Sequence, residues 1–108
     1  MNPEHAEFLR RIALKDRRAL DSVMSGGSEN LVTLDARCAS LVRIAALLSV
    51  DSDPSTFEWA VDQGIASGLD DDSLVDALRV VAPIIGVARF TSTLPRLMAA
   101  LHIEIIED

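Results

Sequence analysis

The 108-residue chain contains one cysteine, one tryptophan, three phenylalanines and no tyrosine. Cys38 alone cannot make an intrachain disulfide, a CxxC redox pair or a cysteine-based zinc site, and such usage suits a reducing cytoplasm. With so little aromatic area, any core must be aliphatic. Long apolar runs are missing too. Val80 to Ala88, interrupted by Pro83 and Gly86, falls far short of the roughly 20 residues a bilayer requires, so no membrane partner is expected. The polar start, MNPEHAEFLRR, lacks the apolar run of a secretory signal, and the expected location is cytoplasmic. Basic residues are outnumbered: ten Lys and Arg face 17 Asp and Glu, a formal charge of −7 that disfavours nucleic acid and anionic lipid.

What is present is 49% apolar and 25% charged, the composition of a folded chain with one ordinary core. Residues 1–33 hold five basic and five acidic groups, and residues 34–108 hold five basic and 12 acidic. Ser25-Gly26-Gly27-Ser28-Glu29-Asn30 reads as a flexible connector. It divides an N-terminal amphipathic helix and hinge, 1–30, from a helical domain, 31–108. Leu9, Ile12, Ala13, Leu20 and Val23 recur at helical steps, which predicts one helix from Pro3 to Met24. Arg10, Arg11, Lys15, Arg17 and Arg18 on it are interspersed with Glu7, Asp16 and Asp21, the pattern of a charged helix surface.

Four further helices follow. Asp35 caps the second, whose Leu41, Val42, Ile44, Ala45, Leu47 and Leu48 wrap most of its circumference. Asp53-Pro54 opens the third, with an apolar stripe of Phe57, Val61 and Ile65 and a left-handed stop at Gly68. Asp70 caps the fourth, in which Leu74, Val75, Leu78, Val81, Ala82 and Ile85 recur and Pro83 predicts a kink before Gly86. Val87 to Leu101 is the fifth, with a kink or a restart at Pro95, and only the tail Ile103 to Ile106 reads as strand. The fold class is therefore all-α with about five helices. Several are apolar on more than one side, which predicts a homo-oligomer.

Few residues carry chemistry. Cys38 lies one turn into its helix, where the dipole would lower a thiol pKa, and reads otherwise as a small buried core residue. Glu58 and Asp62 are spaced i, i+4, so both carboxylates share a face; they suit either acid–base work or a solvated surface, with Trp59 beside them as a pocket wall or a packing residue. Arg37, Arg43 and Arg89 sit in apolar segments, where a guanidinium takes a carboxylate partner or an anionic ligand. His5 and His102 have no second ligand at i+3 or i+4, and Asp70-Asp71-Asp72 lacks a calcium loop's glycine, so no metal is expected. No cofactor is indicated.

Leu34-Asp35-Ala36-Arg37, Leu41-Val42-Arg43-Ile44-Ala45-Ala46-Leu47, Thr56-Phe57-Glu58-Trp59-Ala60-Val61-Asp62 and Ala66-Ser67-Gly68-Leu69-Asp70 form one series of motifs. With Val81-Ala82-Pro83-Ile84-Ile85-Gly86-Val87-Ala88-Arg89, the series resembles the carboxymuconolactone decarboxylase-like family over about residues 34–106. The resemblance implies an alkylhydroperoxidase-like helical fold, assembled as trimers or hexamers with pockets at subunit contacts. It also implies decarboxylation of a small carboxylic acid, or peroxide reduction through a CxxC pair. Counting back from Gly68, the redox-pair positions hold Asp53 and Thr56, and the family's histidine position holds Ala60. A decarboxylase holds carboxylates with cations and protonates a carbanion. The expected site is accordingly Glu58 and Arg89 as reacting groups, joined by Cys38 in the peroxide reading, with Trp59, Asp62 and Arg37 binding a small organic ligand. Two other expectations are a single-cysteine peroxide-reactive protein using Cys38 and a non-catalytic helical interaction module.

Overall fold

A computed structural model describes residues 1–25, 31 and 33–104. Among them are six helices, α1 (Pro3–Ala13), α2 (Arg17–Met24), α3 (Ala36–Ser49), α4 (Pro54–Ala66), α5 (Asp71–Ile85) and α6 (Val87–Ala100), and no strand. The chain divides into two compact units, Met1–Thr33 and Leu34–Asp108. Residues 26–30 of the expected connector, and Ile105 and Ile106 of the expected strand tail, lie outside the described residues.

The sixth helix comes from a break in the first. Instead of running from Pro3 to Met24, α1 stops at Ala13, because Lys15 adopts φ 59°. The Lys15 and Asp16 amides then donate to the Ile12 and Arg11 carbonyls at 3.0 and 2.9 Å, the paired closure of a Schellman turn. The Asp16 carboxylate caps α2 by accepting from the Arg18 and Ala19 amides. A left-handed lysine costs about 1 kcal/mol or more. The apolar period simply runs on across it, so a pattern reading joins the two helices.

No residue of α1 or α2 is buried. Glu7 accepts from the Arg10 and Arg11 guanidiniums at 3.0 and 3.1 Å. The hydrogen bond from Arg10, then that from Arg11, pulls its carboxyl from 4.5 down to about 2. Because the folded value lies below the unfolded one, the pairing supports α1 fully above the ordinary carboxylate range and is lost as pH falls towards about 2. An NMR titration of side-chain carboxyls should place the Glu7 midpoint near about 2. Arg10→Ala should raise it; an ordinary midpoint in the wild-type chain contradicts the pairing.

In the second unit α3 is the central element, packed on α4, α5 and α6. Its Ile44 and Leu48 are 0% and 1% exposed. Around them lie Phe57, Ala60 and Val61 of α4, Leu74, Leu78 and Val81 of α5, Leu97 and Ala100 of α6, and Leu69 from the connector after α4. The core is aliphatic apart from Phe57, as the composition requires. The expected α4 stripe is corrected at one position: Ile65 is exposed, and Gly64 is buried in its place. Gly64 admits a close approach. A Cβ there would stand 2.8 Å from Leu69 Cδ1 and 3.1 Å from Ile44 Cδ1, so the glycine is the place where α3 and the returning chain close on α4.

The caps follow the sequence. Asp35 and Asp70 accept from the Cys38 and Ser73 amides, each at 2.7 Å. Gly68, at φ 98°, ends α4 in another Schellman turn, its own amide and that of Leu69 bonding to Ile65 and Gly64. Gly86, at φ 87°, joins α5 to α6. Of the kink or restart expected at Pro95 the restart does not occur, and α6 runs through the proline as one helix. Thr93, Leu97 and Ala100 are buried on both sides of the proline. The Thr91 carbonyl, which loses the proline's missing amide as partner, belongs to an exposed residue that water can reach. Ile103 is not in a strand: with His102 at φ 57° it closes α6, its amide donating to Met98 at 2.8 Å.

Candidate functional site

The expected site residues fall into three separate places within the second unit. The first is where the N-terminal turns of α3 and α5 meet. Arg37 Nη2 donates to Ser73 Oγ at 3.2 Å, and the guanidinium also lowers the pKa of the Asp70 carboxyl, after the larger effect of the Ser73 hydroxyl and amide. Arg37 is thus engaged by the capping residues of α5. Cys38 stands beside it, exposed, which corrects the expectation of a buried core residue.

Its thiol is also shifted the other way from the dipole argument. The Asp35 carboxylate that caps α3 takes a hydrogen bond from the thiol and repels a thiolate, which outweighs the nearby Arg37 and raises the Cys38 pKa. Asp35 itself is lowered, first by the Cys38 amide. The residue that starts the helix is therefore the one that holds the thiol protonated. Asn caps about as well as Asp, so Asp35→Asn removes the charge and keeps the cap. The wild-type thiol should react with iodoacetamide at neutral pH more slowly than free cysteine, and Asp35→Asn should speed it. An Asp35→Asn rate equal to or below that of wild type contradicts the assignment.

The second place is the connector between α3 and α4, where Arg89 Nη1 donates to Asp51 Oδ1 at 3.2 Å. Seven residues on, and so on the same face of α6, Arg96 Nη1 donates to the Ser52 carbonyl at 2.7 Å. Two guanidiniums of one helix thus hold consecutive residues of one connector. Asp53, at its end, starts α4, and its pKa is lowered chiefly by the Ser55 hydroxyl.

The third place is an open cleft of about 270 Å³ between α4 and α6, lined by Pro54, Phe57, Glu58, Pro95, Arg96, Ala99 and Ala100. The buried Phe57 and Ala100 bring α4 and α6 together at its base. Among the described residues Glu58 and Arg96 are its only charged lining residues, one carboxylate and one guanidinium in otherwise apolar walls. Arg96, not Arg89, therefore shares this cleft with Glu58. Trp59, 55% exposed, and Asp62, exposed one turn beyond Glu58, do not line it. Arg96 was not among the residues singled out from sequence. Its spacing from Arg89 was the available signal.

Among the described residues no group of three or more His, Cys, Asp or Glu could hold a metal ion, and no helix is long and apolar enough to cross a membrane. No family model, curated protein or solved structure matches the chain.

Proposed function

We propose that the second unit is a carboxymuconolactone decarboxylase-like module that binds a small organic carboxylate in the α4–α6 cleft, completed as an intersubunit pocket by another copy. The observation that carries this reading is the cleft: apolar walls, with a single guanidinium and a single carboxylate among its described lining residues. An Arg guanidinium presents five N–H donors in a planar fork that matches a carboxylate. Arg96 commits one nitrogen to the Ser52 carbonyl, which fixes the head of the side chain. Phe57 and Ala99 offer apolar contact to the rest of such a ligand.

The reaction class implied by the resemblance is decarboxylation. The bond from carbon to a carboxylate breaks, CO2 departs, and the carbanion left behind takes up a proton. In this reading Arg96 takes the anchoring role first assigned to Arg89, and Glu58 is the proton donor. The peroxide-reactive alternative keeps an exposed thiol at Cys38, but the raised thiol pKa weighs against it.

A second reading, a helical interaction module without chemistry, draws on one observation. Val80, Ile84 and Val87 are 69%, 80% and 80% exposed around the α5–α6 junction, an apolar surface of the kind that contacts a partner. Native mass spectrometry of the protein as purified separates the two. The ligand reading predicts a trimer or hexamer that retains a small organic acid and releases it in Arg96→Gln. An oligomer that neither retains nor takes up such a molecule favours the interaction module, and a bare monomer contradicts the intersubunit pocket.

A further inference from the structure

The N-terminal unit carries a groove of about 510 Å³ between α1 and α2. Phe8 and Val23 supply apolar lining, and Glu4, Glu7, Arg11 and Arg18 stand around them. With 11 and 8 residues, both helices are shorter than the roughly 12–15 an isolated helix needs in water. None of their residues is buried, and Phe8, Leu9 and Val23 are 40%, 54% and 43% exposed. Units below about 40 residues usually depend on disulfides, metals or association, and this one has no cysteine. Its apolar face therefore requires a cover.

The charges around the groove select that cover. Of the groove's two carboxylates and two guanidiniums, Glu7 and Arg11 pair with each other within α1, which leaves Glu4 and Arg18 as one charge of each sign beside that pair, and residues 1–33 as a whole balance five acidic against five basic groups. A neutral rim of mixed sign can be complementary to a copy of itself, because a two-fold axis sets acidic groups of one copy against basic groups of the other. Residues 34–108, with 12 acidic groups against five basic, would bring further carboxylates towards Glu4 and Glu7.

We propose that this groove is a self-docking surface, in which the α1–α2 hairpin of a second copy of this chain seats its apolar face to make a four-helix bundle. The docking is separate from the α4–α6 cleft and shares with the proposed function only the association of copies.

Native mass spectrometry of the full-length chain and of Phe8→Glu tests it. The expected result is a wild-type subunit number that halves in Phe8→Glu. A full-length Cys38→Ser, Ala19→Cys chain treated with a short bismaleimide should give a covalent dimer, and adding Phe8→Glu should abolish it. An unchanged subunit number in Phe8→Glu, or a cross-linked product that stays monomeric, overturns the docking and leaves the ligand reading standing. A wild-type monomer overturns both.

Discussion

Ile44 and Leu48, one turn apart on α3 and almost wholly out of contact with water, are the pair on which the second unit depends. Three helices close around them, and each contributes two or three small or branched apolar side chains. Cutting one such residue to alanine typically costs about 2–5 kcal/mol, out of the roughly 5–15 kcal/mol that holds a domain folded. With Phe57 as its only aromatic, the core has few large side chains to spare, and the close approach at Gly64 shows how it is filled. A β-carbon at Gly64 would force the ends of the Leu69 and Ile44 side chains to shift.

The same packing sets the cleft. Phe57 and Ala100 are both buried at the seam between α4 and α6, so the residues next to them along those helices, Glu58 and Ala99, line one opening. Arg89 and Arg96 tie α6 to the connector that launches α4. Pro95 stands in the cleft wall at some cost. A mid-helix proline costs about 3 kcal/mol relative to alanine, yet this one is exposed and repays nothing through the core. A residue that breaks a local rule without a packing gain belongs more often to a functional surface than to a scaffold.

Much of the helical body was legible in the sequence. The cap residues Asp35 and Asp70, the Asp53-Pro54 start of α4, the glycine stops at Gly68 and Gly86, the α5 face and the α3 face apart from the exposed Val42 followed from side-chain chemistry and period, although the Asp53 side chain makes no cap hydrogen bond. The misses share one cause, which is that backbone geometry and tertiary contact overrode a one-dimensional pattern. Lys15 and His102 take the left-handed turn that glycine would have announced. Ile65 loses its buried place because Gly64, one residue earlier, lies closer to α3. The site was less legible than the fold. Glu58 was found by its carboxylate, but its cleft partner Arg96 lies 38 residues away in the chain, and only the packing of α6 on α4 brings them together. Cys38 is exposed where a small core residue was expected, and the carboxylate that caps its helix opposes the dipole at its thiol.

The central claim is that Arg96, and not Arg89, is the cation that reads a ligand in the α4–α6 cleft. Its most direct test is an NMR titration of the isotope-labelled wild-type protein, Arg96→Gln and Arg89→Gln with benzoate and with muconate. Loss of a charge-assisted hydrogen bond of about 1.5–3 kcal/mol corresponds to roughly a tenfold or greater weakening. The account predicts shifts centred on Phe57, Glu58 and Ala99 in the wild-type chain, that loss of affinity in Arg96→Gln, and near wild-type affinity in Arg89→Gln. Undiminished binding in Arg96→Gln, with the loss falling on Arg89→Gln or on neither, would contradict it.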